Sequence, residues 1–240
     1  MKNLVFILIA GMFLSCAVAP KTVPRIPQEI LIKIQGVDTV KVEKDDDGIS
    51  RAMEISNPEG QLSRLAFISG GKAFIKIFSG LSVADVTMLW NDLVVLEETT
   101  DIREVNLYIN SSGGDAFSGL ALTDQIERAR RKGFKITAHA SGIIASAAVP
   151  VFAVCNVRLA APGTIFMVHE AALWKWPGRE TASDIKSQNE LMFLLRDRYI
   201  GKLVENSKLS KSEWETLERN TTWFSAQEVK DKFGIVDSVE

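Results

Sequence analysis

The sequence predicts an α/β fold with a mostly parallel sheet, and three observations carry that prediction. Residues 105–109, Val-Asn-Leu-Tyr-Ile, form a β-rich run that breaks at Asn110-Ser111-Ser112-Gly113-Gly114. Apolar residues then recur at helical spacing, Leu120, Leu122, Ile126 and Ala129, until Gly133. Residues 134–138 open a second unit of the same order, with Ser141-Gly142 as its turn and a helix starting near Ala145 or Ser146. Residues 157–160 and 164–168 read as further strands, followed by a long helix over 182–204 with its apolar residues on one face. Strands that alternate with helices are joined by crossovers, and crossovers make neighbouring strands parallel. No repeat of fixed period is visible.

The remaining elements follow from the same periodicities. Residues 30–34 read as a strand within a stretch punctuated by Pro24, Pro27 and the acidic run Asp45-Asp46-Asp47, so residues 17–60 are expected to be a tether with an irregular strand pair. Short strands at 65–68 and 73–78 are separated by Gly70-Gly71 and ended by Ser79-Gly80. Residues 82–98 place Val83, Val86, Leu89, Trp90, Leu93, Val94 and Leu96 at helical spacing, with Asp85 in the first turn where the helix dipole favours an acid. The domain proper is expected to span residues 61–240.

Composition excludes some functions. A formal net charge of −2 leaves no basic surface of the kind phosphate neutralisation requires, so nucleic acid is not expected as a partner. With 46% hydrophobic residues in 240, the chain can bury a full core without a metal or disulfides. No metal or cofactor is expected.

The first residues suggest export. Lys2 precedes an uncharged apolar run over residues 4–14, the layout of a signal peptide and too short to span a bilayer. Cleavage after Ala19 would leave Pro20 first, whereas Phe13-Leu14-Ser15-Cys16 resembles a lipobox, with Phe13 where such motifs carry Leu. The expectation is a signal peptide over residues 1–16 lipidated at Cys16 and an anchored lipoprotein of a bacterial envelope. The alternatives are a plain cleaved signal, or a buried N-terminal helix in a cytoplasmic protein. With Cys16 lipidated, Cys155 is the only other thiol and no intramolecular disulfide can form.

The local chemistry leaves several roles open. Gly113 and Gly114, between a strand and a helix, suit a tight turn or the close approach of backbone N–H groups to an anion, and the loop has no Walker lysine. Ser146 in Ala145-Ser146-Ala147-Ala148 suits a helix N-cap or a nucleophile at a helix start, and Ser141 competes for both roles. Only His139 and His169 are available as imidazole bases, and His169 ends a strand, where parallel sheets present their chemistry.

Taken together, Asn110-Ser111-Ser112-Gly113-Gly114, Ala145-Ser146-Ala147-Ala148, Met167-Val168-His169-Glu170, and Phe224-Ser225-Ala226 with Gly234-Ile235-Val236-Asp237-Ser238 resemble the proteolytic subunit of Clp protease, the ClpP family, over residues 65–239. The resemblance implies a ClpP/crotonase-like spiral of ββα units whose 182–204 helix is a protruding handle, and a ring-forming oligomer. It implies a serine endopeptidase with Ser146 as nucleophile, His169 as general base 23 residues later, and the backbone N–H groups of Gly114 and Ala147 as oxyanion hole. In the family's third catalytic position, Glu218-Arg219-Asn220-Thr221 puts Asn220 where an Asp is expected, with Thr221 as fallback partner for the imidazole. An amide oxygen accepts an imidazole N–H in Cys/His/Asn enzymes, yet Asn in a Ser/His/Asp site costs about 10⁴-fold when it fixes the wrong tautomer. The expected substrates are short or unfolded polypeptides. An ATP-driven unfoldase is not an expected partner of an exported chain.

Rival readings are a membrane-associated serine/lysine peptidase resembling signal peptide peptidase A, a catalytically weak ClpP-like scaffold, and an acyl-CoA hydratase of the same superfold.

Overall fold

A computed structural model describes the backbone of residues 30–34, 37–44 and 49–56, and backbone and side chains of residues 64–172 and 179–240. The expected signal peptide over residues 1–16 and the expected lipidation site at Cys16 lie outside the described residues. Three strands, β1 (Ile30–Ile34), β2 (Val37–Lys44) and β3 (Ile49–Ser56), form an antiparallel meander. β3 pairs with β4 (Leu65–Ser69), so this meander continues the main sheet, with register shifts in both the β1–β2 and β2–β3 pairs.

β4 turns back into β5 (Lys72–Ile77) through Gly70 and Gly71, both at positive φ (55° and 74°). Two such residues in a two-residue hairpin give the turn whose twist matches the flanking strands, which glycine adopts without a Cβ penalty. From here the sheet is parallel: β5 pairs with β6 (Glu104–Ser111), β6 with β7 (Lys135–Ala145), and β7 with β8 (Val157–Ala160). The crossovers are α1 (Val83–Thr99) and α2 (Ala116–Arg131). Beyond position 140, β7 also pairs in parallel with β9 (Ile165–Val168). One strand thus serves two neighbours and carries the chain toward the site.

Alternation along the strands places the core. In β6 Val105, Leu107 and Ile109 are buried while Asn106 and Tyr108 face the other way, and in β7 Ile136, Ala138 and Ala140 repeat the pattern. Leu89, Leu93 and Leu96 of α1 and Leu122, Ile126 and Ala129 of α2 meet the inward set. Burying each large aliphatic side chain contributes about 1.5–3 kcal/mol. On the opposite face Phe67, Phe74, Tyr108 and His139 form a stacked ladder across four strands.

The C-terminal third wraps the far side of the site. α4 (Ala182–Glu205) begins with a capping box between Thr181 and Asp184. α5 (Lys211–Arg219) begins with another between Ser210 and Glu213. β10 (Thr222–Ser225) pairs antiparallel with β9, and α6 (Ala226–Glu228) runs into a π-helical turn at Val229–Phe233 that Gly234 ends at φ 70°. Trp214, Phe224 and Phe233 pack edge to face at 4.6–5.5 Å between centroids and fasten α5 to this segment. β11 (Ser238–Val239) closes the edge parallel to β8.

Two local expectations are corrected. Ser141-Gly142 is not a turn that ends the strand. β7 continues to Ala145, with a register shift opposite β6 and with Gly142 at φ 70°, where a Cβ would stand 2.9 Å from Asn110 Oδ1. The helix does not begin at Ser146 either: α3 (Ala148–Ala153) starts two residues later with Ala147 as its N-cap residue.

Candidate active site

Ser146 sits at the corner between β7 and α3 with φ 54°, the left-handed region that non-glycine residues seldom enter. Pairing holds it there. Ala145 is registered against Met167 of β9, the Ser146 N–H donates to the Met167 carbonyl at 2.8 Å, and the Ser146 carbonyl accepts from the Val149 N–H at 3.0 Å. The chain must therefore turn from strand to helix within two residues, Ser146 and Ala147, and the sharp turn lifts the Ser146 side chain out of the sheet. An N-cap role is excluded, since Ala147 occupies that position of α3 and Ser146 Oγ is bonded to His169 instead.

The same pairing brings up the candidate base. His169 follows directly on β9, and its Nε2 stands 2.8 Å from Ser146 Oγ. With the imidazole proton on Nδ1, the hydroxyl donates to Nε2, the arrangement a general base needs. His139 is on the other face of the sheet, its Nε2 3.0 Å from Asn106 Oδ1 and its ring 4.5 Å from that of Tyr108. Burial lowers its pKa, and it has no route to Ser146. Ser141 is exposed within β7.

The glycine loop lies against the corner. A Cβ on Gly113 would stand 2.6 Å from Ser146 Cβ and 2.7 Å from the Ala145 oxygen, and a Cβ on Gly114 would stand 2.6 Å from Leu81 N. Both glycines have positive φ, 88° and 150°. Gly114 is bridged to Leu81. Among the described residues, neither the Gly114 N–H nor the Ala147 N–H donates a backbone hydrogen bond, which leaves both for a ligand.

A cavity of about 430 Å³, counting its open mouth, adjoins Ser146 and His169. Leu120, Pro150 and Leu195 give it apolar walls, while Tyr199, Arg196 and Glu218 supply polar groups. The Tyr199 hydroxyl donates to the Ser146 carbonyl at 3.3 Å. Glu218 is 2% exposed and receives Arg196 Nε at 2.6 Å. Burial pushes its carboxyl up and Arg196 opposes this, while the bond to Glu218 raises Arg196. Tyr199 and Arg196 have no motif to mark them, whereas Glu218 opens the motif Glu218-Arg219-Asn220-Thr221 without being assigned a role by it.

Asn220 is not brought to His169 by a hydrogen bond. It caps α5, exposed, with its N–H on the Thr216 and Glu218 carbonyls. Extending the β9–β10 register by one pair sets Thr221, at φ 49°, opposite His169. Among the described residues no hydrogen bond to His169 Nδ1 is present. Replacing Asn220 by Ala is therefore expected to change kcat on a peptide substrate by less than about threefold, against the roughly 10⁴-fold scale of a lost triad carboxylate. A loss above tenfold would assign the orienting role to Asn220 after all.

Comparison with known proteins places the chain in a family and a fold. The chain is 28% identical over 170 residues to the ATP-dependent Clp protease proteolytic subunit 2 of Corynebacterium glutamicum, which covers 68% of this chain and 80% of that protein. Its fold matches that of an asparagine-to-aspartate mutant of ClpP1 from Listeria monocytogenes, with a TM-score of 0.60 and 21% identity over 70% of this chain and 90% of that one. The family model for Clp protease matches residues 72–240. A serine at a sharp corner, a histidine at the end of the neighbouring strand and a glycine loop beside them thus sit in a ClpP/crotonase-like fold, and the chain belongs to the Clp protease family of serine-type peptidases.

Proposed function

We propose that the chain is an endopeptidase that cleaves short or unfolded polypeptides by a Ser/His acyl-enzyme mechanism. The 2.8 Å contact between Ser146 Oγ and His169 Nε2 carries this reading. Oγ attacks the scissile carbonyl carbon while Nε2 takes its proton. The carbonyl oxygen gains negative charge as the tetrahedral intermediate forms, and the Gly114 and Ala147 N–H groups receive it, each donor contributing about 3 kcal/mol. Collapse breaks the C–N bond, with the His169 proton passing to the leaving amine. Water, deprotonated by His169, then releases the acyl group and restores Oγ–H. Members of the family form oligomeric rings and degrade peptides, and we extend both properties to this chain. Among the described residues no lysine lines the cavity, and no observation there favours a serine/lysine mechanism.

The test is reaction of the full chain with a fluorophosphonate. Labelling is expected at Ser146, located by mass spectrometry of the labelled peptide. Labelling elsewhere, or none, overturns the mechanism.

The N-terminal residues support a second part of the proposal, lipidation at Cys16, anchoring in a bacterial envelope and work without an ATP-driven unfoldase. Labelled palmitate is expected to enter the wild-type chain and not Cys16→Ala. Incorporation that survives the substitution excludes the site. Cys155 does not compete, being 4% exposed with its thiol pushed up to about 12 by burial, so it stays protonated.

A further inference from the structure

Asp85 is the most buried acid among the described residues, at 1% exposure, and lies outside the Ser146 cavity. A buried carboxylate is retained only with its oxygens satisfied, and Asp85 is bonded on both. Its Oδ1 accepts from Ser79 Oγ at 3.1 Å and is paired with Arg64. Its Oδ2 accepts from the Ser82 N–H at 2.8 Å and from Ser82 Oγ. Arg64 Nη2 also donates to Ser79 Oγ at 2.9 Å. The carboxylate thus grips both ends of the strap formed by residues 79–82, between β5 and α1.

That strap in turn grips the glycine loop. Ser111 Oγ donates to the Ser79 carbonyl at 2.6 Å and accepts the Gly113 N–H at 3.2 Å. The Leu81 N–H donates to the Gly113 carbonyl at 2.8 Å, and the Leu81 carbonyl accepts the Asp115 N–H at 3.0 Å. Three bonds therefore fix the loop on the strap, on either side of Gly114. An oxyanion donor acts only when it is already aimed at the position where charge develops, and a misplacement of about 1 Å can cost 10²-fold in rate.

We infer that Asp85, held by Arg64, is a positioning residue for the oxyanion donor of Gly114, acting through the 79–82 strap. This rests on the Ser/His reading above. In Asp85→Asn the amide NH₂ replaces one acceptor with a donor and faces groups that are themselves donors, so the strap loses a bond at constant volume. Ser111→Ala cuts the strap from the loop and leaves the ion pair whole. Both break the chain of contacts without touching substrate.

The experiment measures kcat and KM on a fluorogenic peptide per site titrated by fluorophosphonate, together with Ki for a peptide boronate, whose tetrahedral adduct places an oxygen where the oxyanion forms. For Asp85→Asn and Ser111→Ala, kcat per titrated site is expected to fall about 10- to 100-fold with KM within about twofold, and Ki to rise by the same factor as kcat falls. Arg64→Met is expected to behave likewise, with Arg64→Lys recovering most of the loss. A purely structural role would lower the titratable fraction and the unfolding temperature while leaving kcat per site and Ki unchanged, and that result overturns the inference. An untitratable wild-type chain overturns the Ser/His reading with it, whereas a titratable wild type with unaffected variants sinks this inference alone.

Discussion

Ser146→Ala is expected to abolish fluorophosphonate labelling and to lower kcat on a fluorogenic peptide by about 10⁴- to 10⁶-fold, with His169→Ala within tenfold of it. The two losses should nearly coincide because Oγ and Nε2 act as one unit at 2.8 Å: without the base the hydroxyl stays protonated, and without the hydroxyl the base has nothing to activate. The double variant should then be little worse than either single one. Robust hydrolysis or labelling by Ser146→Ala would place the nucleophile elsewhere. The unfolding temperature separates chemistry from folding in this comparison, since Ala fits the space Ser146 leaves and the backbone bonds to Met167 and Val149 do not involve the side chain.

Gly113→Ala is expected to be as damaging for a different reason. The new methyl carbon would stand 2.6 Å from Ser146 Cβ, 2.7 Å from the Ala145 oxygen and 3.0 Å from Ala147 N, and none of these is the end of a flexible side chain. The φ of 88° adds a conformational cost that only glycine escapes. Either the loop or the Ser146 corner must move, and each movement separates the nucleophile from the oxyanion donors. A loss in kcat of at least about 10²-fold is expected, with a lower unfolding temperature. Gly163→Ala is the matched control, because a Cβ there meets nothing within 4 Å and its φ lies outside the positive region. If Gly113→Ala cleaves peptide as the wild type does, the loop is not part of the site.

Much of this was legible before any coordinates. The β6–α2 unit announced itself because alternation in Val105, Leu107 and Ile109 changes to helical spacing across two glycines, and periodicity is what burial imposes on sequence. The Ser146 and His169 pair was legible through motif and order. The place where Ser146 sits was not, since a left-handed φ is set by the Ala145–Met167 pairing and leaves no mark on Ala-Ser-Ala-Ala. α5 carries a local signal of its own, Ser210 three residues before Glu213 ahead of Trp214 and Leu217, which is a capping box before an apolar stripe. Motif order places Asn220 in the family's third catalytic position but does not give its placement: the helix that ends at Arg219 leaves Asn220 exposed as its cap and buries Glu218 beside the cavity. The Asp85 strap was beyond reach, because it joins Arg64, Ser79 and Ser111 across 47 positions of chain through contacts that no local pattern encodes.

The backbone of Ser146 bears on whether chemistry has been kept. An L-residue in the left-handed region gives up about 1 kcal/mol that glycine would recover at the same place, and the hydroxyl itself returns nothing to the fold, its one bond being to a half-buried histidine. Mutation is constantly supplied, so a protein relieved of catalytic duty would drift toward the residue that relaxes the corner. A scaffold built on this fold would be more heat-resistant with Gly at 146 than with Ser. Serine at 146, with glycines already packed around the corner at 113 and 114, is the strained choice that the proposed nucleophilic role accounts for and that a silent scaffold does not.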